Sequence, residues 1–246
     1  MSGDVESFWD SLGRHTRARI GLGRAGDALP THQVLRLRTD HSAARDAVHT
    51  PLDVDGLRDR LGPVSVVRSR ATSRAEYLRR PDLGRRLADG TQLPPEEVDL
   101  AVVLADGLSP TAVQRHAPGL VTALAEAAEG RLRLSRPVVA LEARVAIGDR
   151  IAELLGAPAV VVLVGERPGL STSDSLGAYL THGPAASTTD ADRNCVSNIH
   201  PPDGLDHATA ARILVDLAGR ARQLGRSGVH LTAEAPAVPT VPAMDP

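Results

Sequence analysis

Four short stretches of this 246-residue sequence gather most of the side chains able to bind or react. The first is Ala105-Asp106-Gly107-Leu108-Ser109. The second is Arg144-Val145-Ala146-Ile147-Gly148-Asp149. The third runs from Gly165-Glu166-Arg167-Pro168-Gly169-Leu170 on to Ser173-Asp174-Ser175. The fourth, residues 192–200 (DRNCVSNIH), carries too many donors and acceptors for a simple connector. Together they offer carboxylates, guanidiniums, hydroxyls and amides. That set suits a large polar ligand bearing amide groups and a phosphate.

Several of these residues also have plainer readings. Glu166 can simply pair with Arg167. Asp106 can cap the helix that follows it or touch a ligand, and the sequence leaves both open. Cys195 is the only cysteine, so an internal disulfide and a Cys-rich metal site are both excluded. A nucleophilic role would need a lowered thiol pKa, and no histidine stands at a catalytic spacing, so packing is the expected role. Gly21-Leu22-Gly23-Arg24-Ala25-Gly26 is a literal G-x-G-x-x-G, with Asp40 where a ribose-binding acid is expected. The dinucleotide fingerprint needs a buried strand before the glycines and a helix opening within them. Residues 16–20 (TRARI) carry one strongly apolar residue, and Pro30 reads as a later helix start, so a turn-rich segment is expected instead.

The elements that must position these loops show in the apolar pattern. Val64–Val67, Asp99–Ala105 (DLAVVLA), Pro137–Val145 and Ala159–Val164 (AVVVLV) read as strands, with Tyr179–Thr181 and Gly228–Leu231 as shorter ones. Ser109-Pro110 is a cap and first-turn pair opening a helix with Val113, Ala117, Leu120, Leu124 and Ala127 on one stripe. Gly148–Gly156 is a short helix. Asp206 caps a long one with Leu214, Leu217, Ala218, Ala221 and Leu224. Continuous apolar strands alternating with amphipathic helices imply an α/β fold, with a doubly wound, mostly parallel, Rossmann-like sheet. Ligands then bind beyond the strands' carboxyl ends, where the first three loops fall. Residues 1–62 read as an N-terminal helical extension, with one helix from Pro30 to His49 and Phe8, Trp9 and Leu12 on a second short face. Residues 63–232 form the α/β domain. Residues 233–246, with four prolines, are expected to be disordered.

Composition narrows the function classes. Aromatic residues make up only 2% of the chain, too few for a base-stacking module, and the net charge of −2 has no basic stripe. No nucleic-acid partner is expected. No apolar run approaches membrane-spanning length and no signal peptide is apparent, so a reducing cytosolic setting fits.

The loops also carry a family resemblance. Residues 143–181 (ARVAIGDRIAELLGAPAVVVLVGERPGLSTSDSLGAYLT) and 192–200 (DRNCVSNIH) resemble the small subunit of ethanolamine ammonia-lyase. So do ARIGLGRAGDALPT, DHSAARDAVHTPLD and LADGLSPTAVQRHAPGL upstream, in the family's order, from about residue 17 to about residue 231. The resemblance implies an adenosylcobalamin-dependent lyase converting ethanolamine to acetaldehyde and ammonia. The substrate-handling residues would lie on a large partner subunit, and the small subunit would complete the cofactor site at their interface in a hetero-oligomer. Family cofactor contacts carry over to Val145, Glu166 and Cys195, with Arg144 beside them, and to no catalytic residue or metal ligand. Some cobalamin proteins replace the cofactor's lower base with a histidine in a D-x-H-x-x-G motif. Here His41 follows Asp40 directly and His207 follows Asp206, so base-on cofactor is expected. Some members carry an amphipathic leader for a bacterial microcompartment. The 16 or so residues before the matching region are weakly amphipathic, leaving free cytoplasm and encapsulation both open. Two rivals remain: an NAD-binding Rossmann-type oxidoreductase, and a noncatalytic scaffold of the same fold.

Overall fold

The computed structural model describes residues 8–9, 11–16 and 18–231. The proline-rich tail 233–246 and residues 1–7 lie outside them. The chain enters through helices α1 (Thr31–His49) and α2 (Val54–Leu61). A six-stranded sheet follows: β1 (Ser65–Arg68), β2 (Ala101–Ala105), β3 (Val138–Leu141), β4 (Ala159–Gly165), β5 (Leu176–His182) and β6 (Arg193–Ile199). Helix α3 (Arg74–Arg79) follows β1, α4 (Pro110–Ala128) follows β2, α5 (Ile147–Leu155) follows β3, and α6 (His207–Leu224) closes the domain.

Strand order is β1-β3-β2-β4-β5-β6. The first four strands are mutually parallel, whereas β5 runs antiparallel to both β4 and β6. The α/β class therefore stands, but the sheet is mixed and its order is not the 3-2-1-4-5-6 of a dinucleotide fold. The Rossmann-like, doubly wound description goes further than this sheet supports. A ten-residue connection after β4 (166–175) carries no crossover helix, so the chain can only turn back, which sets β5 antiparallel.

Alternation along the central strands explains why both faces are covered. Val102 and Leu104 join Val113, Leu120, Leu124, Leu214 and Val215 in one core beneath α4 and α6. Ala101, Val103 and Ala105 join Ile147, Ile151 and Leu155 in a second core beneath α5. Each fully buried Leu or Ile contributes about 1.5–3 kcal/mol of apolar transfer free energy. Caps set the helix starts. Ser109 accepts the Ala112 N–H at 3.2 Å, and Asp206 accepts that of Thr209 at 2.8 Å.

Two sequence expectations need correction. Residues 193–199 are an edge strand, not a loop. Its Arg193 side chain is only 2% exposed and forms a fork with Asp149 at the start of α5 at 2.7 Å, which fixes the strand to the domain. Residues 228–231 are not a strand. They are held by the Asn194 amide, which donates to Gly228 O and Leu231 O and accepts from Gly228 N.

Candidate functional site

Helix α5 packs on β2 and β4. On its side of β5 and β6 the sheet presents Tyr179 and Cys195, which face each other across the ladder. The Tyr179 hydroxyl and the Cys195 thiol lie close enough to shift each other's titration. Glu166, the first residue after β4, folds its carboxylate back onto the same area. Gly177 makes this possible: a Cβ there would stand 2.9 Å from Glu166 Oε1 and 3.3 Å from the Tyr179 ring. Ser175 donates to Glu166 Oε2 at 2.6 Å, and the Glu166 N–H donates to Ser175 O at 2.9 Å. One carboxylate oxygen is thus engaged by the protein, while Oε1 lies over the glycine. Val145 completes the edge. It sits in the turn into α5 and packs, half-buried like Tyr179, against the core beneath that helix.

The structure therefore brings Glu166, Tyr179 and Cys195 together on one open shelf, with Val145 on the same side of the sheet. Cys195 belongs to a strand, so its neighbours are set by cross-strand register. Arg144 adjoins Val145. Its guanidinium faces the Tyr77 ring at 5.7 Å, and its N–H donates to Gly84 O at 2.8 Å. Asp106 neither caps α4 nor reaches the shelf. Its Oδ1 accepts from Ala143 N and its Oδ2 from Glu142 N, both at 2.8 Å. The sequence reading gave neither tyrosine a site role, yet they are the only two in the chain, and each lies against a predicted site residue. That rarity was the available signal.

The rest of the third loop is pinned from the α4 side. Ser109 Oγ donates to Ser173 O at 2.9 Å, and Asp174 pairs with Arg115 and, at 3.3 Å, with His116 Nε2. Arg19 bonds both Asp40, at 2.6 Å, and Leu170 O, at 3.1 Å, which ties the N-terminal segment to this loop.

The electrostatics argue for holding rather than attacking. Desolvation pushes the Cys195 thiol up; the Tyr179 hydroxyl pulls it down in part, and the nearby Glu166 charge adds to the rise. Desolvation and the bond to Cys195 push the Tyr179 hydroxyl up in turn. At neutral pH the thiol is protonated and a poor nucleophile. Iodoacetamide at pH 7.5 should alkylate Cys195 more slowly than an unstructured thiol of ordinary pKa near 8.5, with the rate climbing above pH 9. Alkylation at the unstructured rate would contradict this.

The shelf offers an anionic acceptor for amide or hydroxyl donors, the exposed residue Cys195, and a glycine where a side chain would fill the space, with apolar Val145 on the same side of the sheet. Among the described residues no cluster of three metal-ligating side chains exists, and no helix is long and apolar enough to cross a membrane. Gly21, Gly23 and Gly26 each have positive φ, no strand precedes them among the described residues, and α1 begins only at Thr31. The dinucleotide reading thereby loses its structural basis.

The family model for Ethanolamine ammonia-lyase light chain (EutC) matches residues 6–232. A Rhodococcus erythropolis protein named ethanolamine ammonia-lyase small subunit is 52% identical over 232 residues, covering 92% of this chain and 90% of that protein. Proteins of the same name from Ralstonia nicotianae (45% identical, covering 97% of this chain and 93% of that protein) and Bradyrhizobium diazoefficiens (49%, 85% and 81%) are similar too.

Proposed function

The chain belongs to the ethanolamine ammonia-lyase light-chain family, the small subunits of that lyase, and from this premise we propose that its shelf beside α5 forms one wall of an adenosylcobalamin site. A large subunit forms the other wall and holds ethanolamine. The observation that carries the reading is the convergence of Glu166 and Cys195, far apart in sequence, on one patch of sheet, with Val145 on the same side. Bound there, the cofactor supplies the radical chemistry that takes ethanolamine to acetaldehyde and ammonia.

The chain's own residues bind and orient. Glu166 Oε1 accepts hydrogen bonds from corrin amide arms or a ribose hydroxyl, while Ser175 keeps the carboxylate from swinging away. Val145 covers apolar ligand surface. Cys195, held by Tyr179, packs as a protonated thiol. Arg144 acts through the backbone turn it shares with Val145. The sequence has no D-x-H-x-x-G histidine that would replace the cofactor's own lower base. The reading implies a cytoplasmic enzyme, either free or inside a protein-shelled microcompartment.

Titration of the two-subunit enzyme with cobalamin tests this. Removing a hydrogen-bonding partner that is charged costs about 1.5–3 kcal/mol, so Glu166→Ala should weaken cofactor affinity by roughly 10- to 150-fold. The KM for ethanolamine should stay unchanged, and the bound spectrum should remain that of the base-on form. Unaltered cofactor affinity in Glu166→Ala would remove the shelf from the site.

A further inference from the structure

The turn joining β3 to α5, residues 142–145, is held in every direction by residues from other elements. Its first residue, Glu142, has φ +53°, a left-handed conformation that a side-chain-bearing residue adopts at a cost of about 1 kcal/mol or more. The Glu142 and Ala143 N–H groups both donate to the Asp106 carboxylate at 2.8 Å. The Ala143 carbonyl accepts from the Tyr77 hydroxyl at 3.2 Å. The Arg144 N–H donates to Gly84 O. Arg74 Nη1 lies 3.5 Å from both Asp106 Oδ2 and Glu142 Oε2, and its guanidinium sits 4.9 Å from the Tyr77 ring centre. Asp106 is 3% exposed and Tyr77 is fully buried.

Nothing local requires an acid at position 106. Ser109 already caps α4. The charge is expensive where it stands, since burial pushes the carboxyl up to about 6 despite two N–H donors and Arg74. A strained turn persists only where its surroundings over-determine it, and such turns serve to preset a contact. The residues that follow this one are Arg144 and Val145.

We infer that Asp106 and Tyr77 are positioning residues: they clamp the 142–145 turn so that Val145 and the adjoining backbone are preset against the cofactor. This rests on the cobalamin reading above. Neither residue touches the ligand, so both act through the turn and affect cofactor binding without altering ethanolamine handling.

The test uses the assembled two-subunit enzyme titrated with adenosylcobalamin. Asp106→Asn keeps one acceptor but turns an amide N–H toward a backbone N–H, and should weaken cofactor affinity tenfold or more. The KM for ethanolamine, and kcat at saturating cofactor, should stay within twofold of wild type. Tyr77→Phe removes only the hydroxyl and should weaken affinity about threefold in the same pattern. It carries the test should Asp106→Asn fail to fold. Combining either change with Val145→Ala separates positioning from general loosening. Action through the turn predicts that the double variant loses less affinity than the two single losses multiplied together. Fully multiplicative losses, or unchanged cofactor affinity in Tyr77→Phe, would overturn the inference. If Glu166→Ala still weakens binding in that event, the cofactor site stands and only the clamp falls. If it does not, the site falls as well.

Discussion

Purified alone and supplied with ethanolamine and adenosylcobalamin, this chain should release no acetaldehyde above the rate without protein. Adding the large subunit should restore full turnover. The reason is geometric. The shelf is one face of a sheet, open on the side away from the strands, whereas a radical reaction needs a pocket that excludes water from its intermediates. Ethanolamine is too small to be enclosed by a single wall that already faces a ligand many times its size. The chain also lacks the groups for substituting another chemistry. It contains no lysine, and its single thiol is held protonated by desolvation and by Glu166. The contrast between isolated and assembled chain should therefore be all or none, measured by coupled aldehyde reduction. Turnover by the small chain alone would move the chemistry onto it and refute the division of labour. A complex that assembles but takes up no cobalamin would instead favour a scaffold.

How much of this was legible depended on whether the deciding interactions were local. The run at Ala159–Val164 announced a central strand because a strand buried on both faces has no polar side to interrupt it. Strand β6 did not announce itself. Arg193, Asn194, Ser197 and Asn198 are poor strand formers. What makes them a strand is the ladder with β5 and the fork from Arg193 to Asp149, 44 residues away. The family resemblance pointed to Cys195, but only the register with Tyr179 shows why it faces the same way as Glu166. The direction of β5 was readable and was missed, since the stretch from Gly165 to Ser175 already read as a connection without a helix. Helix α3 was readable and was missed. Ser73-Arg74-Ala75-Glu76 is a capping signature, with Ser73 accepting the Glu76 N–H and Glu76 reaching back to Thr72. The role of Asp106 lay beyond any local rule, because its partners are on the next strand's turn.

The largest stability effect is expected at Gly165, where two of the predicted loops meet. Gly165 closes β4, and the 105–109 loop crosses directly over it, with the Leu108 N–H donating to Gly165 O at 2.9 Å. A Cβ at this position would overlap Ser109 O and stand 2.8 Å from Asp106 O. Both obstacles are backbone atoms. One belongs to the cap of α4 and the other precedes a glycine turn, so neither can rotate away as a side chain would. Overpacking of this kind costs about 1–3 kcal/mol in ordinary cores and more where backbone must move. For Gly165→Ala we expect about 3 kcal/mol or more, a fall in Tm of roughly 6–12 °C for a domain of this size. The same displacement would carry Glu166 off the shelf, so cofactor affinity should drop along with stability. Gly219→Ala supplies the opposite sign. Its Cβ would meet nothing within 4 Å inside α6, and replacing an unconstrained helical glycine gains about 0.4–1 kcal/mol. A thermal melt of the two variants beside wild type should therefore place one well below it and one slightly above. Equal melting of Gly165→Ala and wild type would mean that the 105–109 loop is free to lift, and the shelf would then have no fixed floor.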